Sequence, residues 1–137
     1  MAAAIRDLKL WQEAVALAGE VVRSLRPANR REVKAVVEHV MGTALSVATH
    51  ITDGYARYEA GEQHQLYTAA KRELLRLETQ LALARRADLL SAASDAELAT
   101  RTQTVARLLV GYLAYLDRQL SDRQASPVAA ARVGEGK

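Results

Sequence analysis

The sequence predicts an all-α protein, and three observations support the prediction. Half of the 137 residues are apolar, but only one Trp and five Tyr are aromatic, so Ala, Leu and Val supply most of the apolar bulk. Two prolines and seven glycines interrupt the chain rarely, and such a composition favours helix. Apolar residues also recur at three- and four-residue steps along four long segments. The length suits one domain, and we expect helices at about 5–25, 30–60, 62–87 and 94–123.

The first predicted helix covers about 5–25. We use apolar step for a series of apolar residues that recurs every three or four positions, which is typical of a helix that packs in a bundle. In this helix the apolar step consists of Leu8, Trp11, Val15, Ala18, Val22 and Leu25. Pro27 ends the helix, because proline lacks an N–H and its ring clashes with the preceding turn. Arg23 and Arg26 suit the last turn, where the helix dipole is negative.

The second helix is predicted to begin after Asn29, with Glu32 as its capping-box partner, and to end near Gly61, a candidate C-terminal cap. Its apolar step consists of Val37, Val40, Ala44, Val47, Ile51, Tyr55 and Tyr58.

The third helix follows the same pattern through Leu66, Ala70, Leu74, Leu77, Leu81 and Ala84. The fourth opens at Ser94 in a Ser-Asp-Ala-Glu capping box. It continues through Leu98, Val105, Leu109, Tyr112, Leu116 and Leu120. Short connections between long helices favour an antiparallel, up-down-up-down four-helix bundle over residues 1–124. Residues 125–137, ASPVAAARVGEGK, lose the periodicity and are predicted to be a disordered tail.

Composition excludes several classes of protein. Without cysteine there can be no disulfide, thiolate metal site or cysteine nucleophile. The N-terminal sequence MAAAIRDLKLW lacks the apolar core of a signal peptide. The longest apolar run, residues 108–116, is about half the ~20 residues that span a bilayer. We therefore expect a soluble cytoplasmic protein that does not bind membranes.

The sequence offers no pattern for catalysis. At ~1.5 Å rise per residue, His39 and His50 on one helix lie about 16 Å apart, too far to share a metal ion. No Glu-x-x-His pair, Gly-rich phosphate loop or Gly-x-Ser-x-Gly occurs. We expect no enzyme, no catalytic residue, no metal and no cofactor.

Polar and small residues form a stripe on the second helix, at positions 39, 43, 46, 50, 53, 54 and 57, with Gly42 beside it. The stripe trails the apolar positions by about two residues, or ~200° of rotation, so it is predicted to face away from the bundle. Gly42 and Gly54 each cost ~1 kcal/mol relative to Ala inside a helix, which calls for a packing reason. Short side chains let another helix approach, so we expect this stripe to contact a second subunit. Asp53 and Arg57, four residues apart, are expected to pair along it.

The formal charge of +3 comes from 19 basic and 16 acidic residues. In the predicted bundle, Arg85, Arg86 and Arg101 lie at one pole together with five further cations. We predict that these five further cations contact phosphates. These five are Arg23, Arg26, Arg30, Arg31 and Lys34. The alternative is that such arginines only stabilise helix ends and solubility. Tyr55 and Tyr58 beside Arg57 either stack on an unpaired base or belong to the core with a solvated hydroxyl.

Three blocks of sequence, within about residues 5–120, resemble motifs of the bacterial four-helix bundle proteins of the 23S rRNA intervening-sequence family. Residues 6–14, RDLKLWQEA, are similar to an Asp-Leu-x-x-Trp-Gln opening. Ser46 and then HITDG are similar to Ser-x-x-x-Asn-Ile-Ala-Glu-Gly, with His50, Thr52 and Asp53 in place of Asn, Ala and Glu. The third block aligns with Ala-x-Gly-Ser-Leu-x-Glu, where this chain has Arg72, Glu73 and Arg76 in place of Gly, Ser and Glu.

The resemblance implies a closed homo-oligomeric ring, commonly a homopentamer, of bundles without enzymatic activity. It also implies RNA binding, and five copies at +3 each would carry +15. The expected function is therefore a non-catalytic oligomeric protein that binds structured RNA or other nucleic acid. The alternative is a scaffold that binds a protein partner and no nucleic acid. Residues assigned to oligomer contacts or structure are Trp11, Gly42, Ser46, His50, Asp53, Gly54 and Arg57.

Overall fold

A computed structural model describes residues 4–28 and 30–135, with side chains described as far as residue 124. The four long helices are α1 (Lys9–Leu25), α2 (Lys34–Tyr55), α3 (Ala60–Arg86) and α4 (Ala92–Glu135). Short 3₁₀ turns occupy Ile5–Asp7, Arg26–Ala28 and Arg31–Val33. No strand occurs in this described part of the chain, and the predicted all-α class with four helices is confirmed.

The four helices enclose one apolar core. α1 packs against α2 and α4, and α3 packs against the same two helices. The largest fully buried side chains include Leu10, Leu17, Leu25, Ile51, Leu77, Leu98 and Leu109. Every helix thus contributes to a shared interior, as in a helical bundle. None of the described helices is both long and apolar enough to cross a lipid bilayer.

The core face of α1 differs from the predicted one. The buried residues are Leu10, Ala14, Leu17, Val21 and Leu25. Val15 and Val22, which the predicted step placed in the core, are each 41% exposed. Both sets satisfy three- and four-residue spacing, and α1 is apolar on two adjacent faces, so periodicity alone does not choose between them.

α2 confirms most of the predicted step but ends earlier than predicted. The residues from Val37 to Ile51 in that step are buried. The helix stops at Tyr55, and Tyr58, the last residue of the predicted apolar step, is 98% exposed in the loop that follows, so it does not belong to the core. Gly61 is the second residue of α3, so its assignment as a C-terminal cap of α2 is wrong. The predicted N-cap, Asn29, lies outside the described residues.

α3 and α4 meet at a tight connection. α3 ends in a turn where Asp88 takes a positive φ of 61° and the Leu89 N–H donates to Ala84 O at 2.9 Å. α4 starts two residues before the predicted capping box, because Ser91 Oγ accepts the Ser94 backbone N–H at 3.0 Å. The cap of α4 is therefore Ser91 and not Ser94.

The last part of α4 covers most of the predicted tail, residues 125–137. The helical backbone continues to Glu135, while the side chains of residues 125–137 and the backbone of 136 and 137 lie outside the description. The predicted disorder of residues 125–137 stays a prediction.

Candidate functional site

The predicted phosphate contacts all lie at the junction of α1 and α2. We call Arg23, Arg26, Arg30, Arg31 and Lys34 the basic segment; all five are exposed. Between residues 23 and 34 the only carboxylate is Glu32, so five cations stand against one anion. Because these side chains are all exposed, positive charge is concentrated at this end of the molecule.

Some of this charge is neutralised within the chain. Arg23 Nη1 lies 2.7 Å from Glu20 Oε2. Arg30 and Lys34 make long contacts of 3.9 Å with Glu32 and Glu38. In the described part of the chain, Arg26 and Arg31 form no ion pair. These two guanidinium groups are thus the best placed to receive an external anion.

The other predicted cations of this pole are less available. Val36 of α2 and Leu83 of α3 line the same cavity, so the start of α2 lies close to the end of α3. Arg85 donates to Leu90 O at 3.4 Å, and Arg101 pairs with Glu97 at 3.1 Å. Arg85 and Arg86 face a groove of 490 Å³ between α3 and α4 that also contains Glu78 and Asp95, so its charge is balanced.

The polar stripe of α2 does not face away from the bundle as a whole, which corrects the prediction. Gly54 is buried against α3: a Cβ placed on it would lie 2.6 Å from Tyr67 Cε1. Thr43 is buried as well. The glycine at position 54 is therefore explained by packing within the subunit, because it lets the Tyr67 ring lie directly on the α2 backbone.

Tyr67 is itself part of an aromatic group in the core. Its ring meets Tyr112 of α4 edge-on, with 5.9 Å between centroids. Burial, followed by the neighbouring Tyr112 and Tyr55, raises the pKa of Tyr67 to about 12. Burial also raises the pKa of Tyr112 above its usual value of 10.0.

Ser46 and His50 face α3 and join a polar cluster, which we define as Ser46, His50, Glu73 and Arg76. Ser46 Oγ donates to Glu73 Oε1 at 3.0 Å, and Arg76 Nη1 lies 2.9 Å from Glu73 Oε2. His50 Nδ1 lies 2.8 Å from the Ser46 carbonyl oxygen and 3.2 Å from Ser46 Oγ. The cluster ties α2 to α3 at the surface of the bundle.

The remaining stripe residues and the adjacent Gly42 are open to solvent in the single chain. Gly42 is exposed, and a Cβ there would meet nothing within 4 Å. Asp53 and Arg57 are exposed but do not pair, because α2 ends at Tyr55 and Arg57 belongs to the loop. The predicted contact of this face with a second subunit stays a prediction.

Trp11 holds the N-terminal turn against α1. The Arg6 guanidinium carbon lies 5.6 Å from the centre of the Trp11 ring, and Gln12 Nε2 donates to Arg6 O at 2.6 Å. Trp11 itself packs against the core. These contacts stabilise the N-terminal turn within the single chain.

Sequence reasoning missed Glu73, and with it the polar cluster. Glu73 is 27 residues from Ser46, so their contact depends on how α2 and α3 align. The available signal was the third motif block, where Arg72, Glu73 and Arg76 replace the expected residues. With His50, all of these replacements line one surface cavity.

In residues 4–28 and 30–124, no three His, Asp or Glu side chains are grouped closely enough to hold a metal ion.

A family model described as "23S rRNA-intervening sequence protein" matches residues 6–111 of the chain. No individual curated protein matches the chain significantly.

Proposed function

The chain belongs to the 23S rRNA-intervening sequence protein family, and on this premise we propose that it is a non-catalytic helical-bundle protein that binds structured RNA. The observation that carries the proposal is the basic segment, five exposed cations at one junction with the guanidinium groups of Arg26 and Arg31 unpaired in the described chain. Cations that are already exposed bind phosphate with little desolvation cost and release condensed counterions.

The proposal includes assembly. Gly54 of α2 meets Tyr67 of α3, whereas the earlier Ser46 meets the later Glu73, which supports an antiparallel, up-down-up-down order of helices. We propose that such bundles form a closed homo-oligomeric ring, a homopentamer, in the cytoplasm. A single chain at +3 attracts RNA weakly, and repetition of the basic segment around a ring would raise the affinity by multivalency.

A second function, that of a protein-binding scaffold without nucleic-acid contact, is favoured by a different observation. Leu45 on α2 and Leu75 on α3 are 63% and 64% exposed. Exposed apolar side chains on neighbouring helices are typical of protein interfaces, including those between copies.

Retention of a structured RNA hairpin on the protein across a salt series tests the RNA-binding function. We expect affinity to fall steeply with salt, and Arg26→Ala plus Arg31→Ala to weaken binding and to lower the slope of log affinity against log salt by about 1 to 2. Arg107→Ala plus Arg118→Ala, which removes two exposed arginines of α4, is the matched control and should keep most of the affinity. No retention at low salt would reject RNA binding and leave the scaffold function.

A further inference from the structure

A surface cavity of 230 Å³ between α2 and α3 is lined by His50, Ala69, Arg72, Glu73 and Arg76. It lies in the middle of the bundle and shares no residue with the basic segment. Arg72 and Arg76 are four residues apart on α3, so they lie side by side on one helix face, and both are exposed. The cavity therefore presents two guanidinium groups and one imidazole beside a single carboxylate.

For a neutral His50 ring, the hydrogen bonds select one tautomer. A carbonyl oxygen only accepts, so Nδ1 at 2.8 Å from Ser46 O must carry the ring hydrogen and donate it. Ser46 Oγ uses its own hydrogen on Glu73 Oε1, so it accepts in its 3.2 Å contact with Nδ1. Nε2 on the far side of the ring is then an acceptor, and it has no hydrogen-bond partner among the described residues.

The two arginines are held differently. Both carboxylate oxygens of Glu73 are engaged, Oε1 by Ser46 and Oε2 by Arg76 at 2.9 Å. Arg72 makes no ion pair with the carboxylates described here. The cavity thus combines a guanidinium without an ion pair, a guanidinium held by Glu73, and an imidazole whose Nε2 accepts when the ring is neutral.

This combination matches one unit of RNA backbone. A phosphate takes paired N–H donors from arginine. The 2′-hydroxyl of the adjacent ribose donates a hydrogen bond, and it is the group that distinguishes RNA from DNA. A metal cation fits poorly, because two arginines repel it and only one imidazole is present.

We propose that this cavity is a second RNA-contact site, at which Arg72 and Arg76 bind a backbone phosphate and His50 Nε2 accepts a hydrogen bond from the neighbouring 2′-hydroxyl. The proposal rests on the RNA-binding function above and deepens it. The basic segment supplies affinity for any polyanion, whereas this cavity supplies the preference for RNA over DNA.

The test compares binding of an RNA hairpin and a DNA hairpin of the same sequence by fluorescence anisotropy. We expect the wild-type chain to prefer RNA. His50→Ala should reduce that preference by about two- to tenfold, the value of one hydrogen bond, because it weakens RNA binding more than DNA binding. Arg72→Ala should weaken RNA and DNA binding by similar factors and leave the preference intact. Thermal unfolding of each variant, followed by circular dichroism, establishes that the bundle is folded.

The outcomes separate this proposal from the proposed function. Equal wild-type affinity for RNA and DNA would overturn the 2′-hydroxyl contact. If RNA binding depends on Arg26 and Arg31 but folded His50→Ala and Arg72→Ala variants behave as wild type, the cavity is not a contact site and the proposed function stands. If the wild-type chain binds neither nucleic acid at low salt, both proposals fail. Binding of free inorganic phosphate with no difference between the hairpins would assign the cavity to a small anion instead.

Discussion

The absence of a side chain at Gly54 determines how closely α2 approaches α3. The Tyr67 ring occupies the space that a Cβ would need, at 2.6 and 2.8 Å from two ring carbons. Tyr67 is only 3% exposed and contacts Tyr112, so the ring has little freedom to move away. Gly19 of α1 is the opposite case, since a Cβ there meets nothing within 4 Å. Two glycines of the same helical conformation therefore have opposite energetic roles.

Gly54→Ala is expected to destabilise the fold by about 1–3 kcal/mol, because the added methyl overpacks a rigid contact. Gly19→Ala, the matched control, should stabilise it by about 0.5–1 kcal/mol through helix propensity alone. Urea denaturation followed by circular dichroism measures both. A Gly54→Ala chain as stable as wild type would show that Tyr67 does not pack on α2 in this way.

Tyr67 also predicts a pH dependence. Since burial raises its pKa from 10.0 to about 12, the folded chain keeps the phenol proton in a pH range where the unfolded chain has lost it. This contribution to stability is intact below pH 10 and is lost as pH rises from 10 to about 12. Tyr67→Phe should therefore lose less stability over that window than wild type, as measured by urea midpoints at each pH. Tyr58→Phe, at a side chain that is 98% exposed, is the control and should follow the wild-type curve.

At the scale of elements, the sequence predicts the buried face of a helix well where one series of apolar residues clearly outnumbers any other. The buried apolar residues of α2 from Val37 to Ile51 were predicted correctly for this reason. On α1, Val15 and Val22 compete with Leu17 and Val21, and only the positions of α2 and α4 decide which pair is buried. The contact of Ser46 with Glu73 likewise requires the alignment of two helices, which a single sequence does not contain.

Helix starts are governed by single hydrogen bonds, and α4 allows a direct comparison. Ser91→Ala should destabilise the fold by about 1 kcal/mol, because Ser91 Oγ accepts the Ser94 backbone N–H at 3.0 Å. Ser94→Ala should change stability by less than about 0.5 kcal/mol, since the half-buried Ser94 hydroxyl makes no hydrogen bond with the described residues. Thermal or urea unfolding distinguishes the two. A larger loss for Ser94→Ala would restore the start predicted from sequence.

At the scale of the whole molecule, the exposed face of α2 is the best candidate for self-association. Gly42 lies on this face with open space around it, and the neighbouring Leu45 is 63% exposed. No contact with the residues that the structure describes accounts for a glycine at this position, unlike at Gly54. A neighbouring subunit would account for both the missing side chain and the exposed leucine.

Gly42→Arg should therefore dissociate the assembly without unfolding the chain. The single chain has room for the new side chain, and arginine favours helix more than glycine does, whereas a packed neighbour would be displaced by it. Sedimentation equilibrium should give about five times the chain mass of 15.0 kDa for wild type and a single chain mass for the variant. Gly19→Arg, which adds the same charge and bulk to an open site on α1, should keep the wild-type mass. A wild-type chain that sediments as a monomer, or a Gly42→Arg chain that stays assembled, would remove this face from the proposed ring. RNA binding would then have to come from the +3 charge of one chain or from an assembly through another surface.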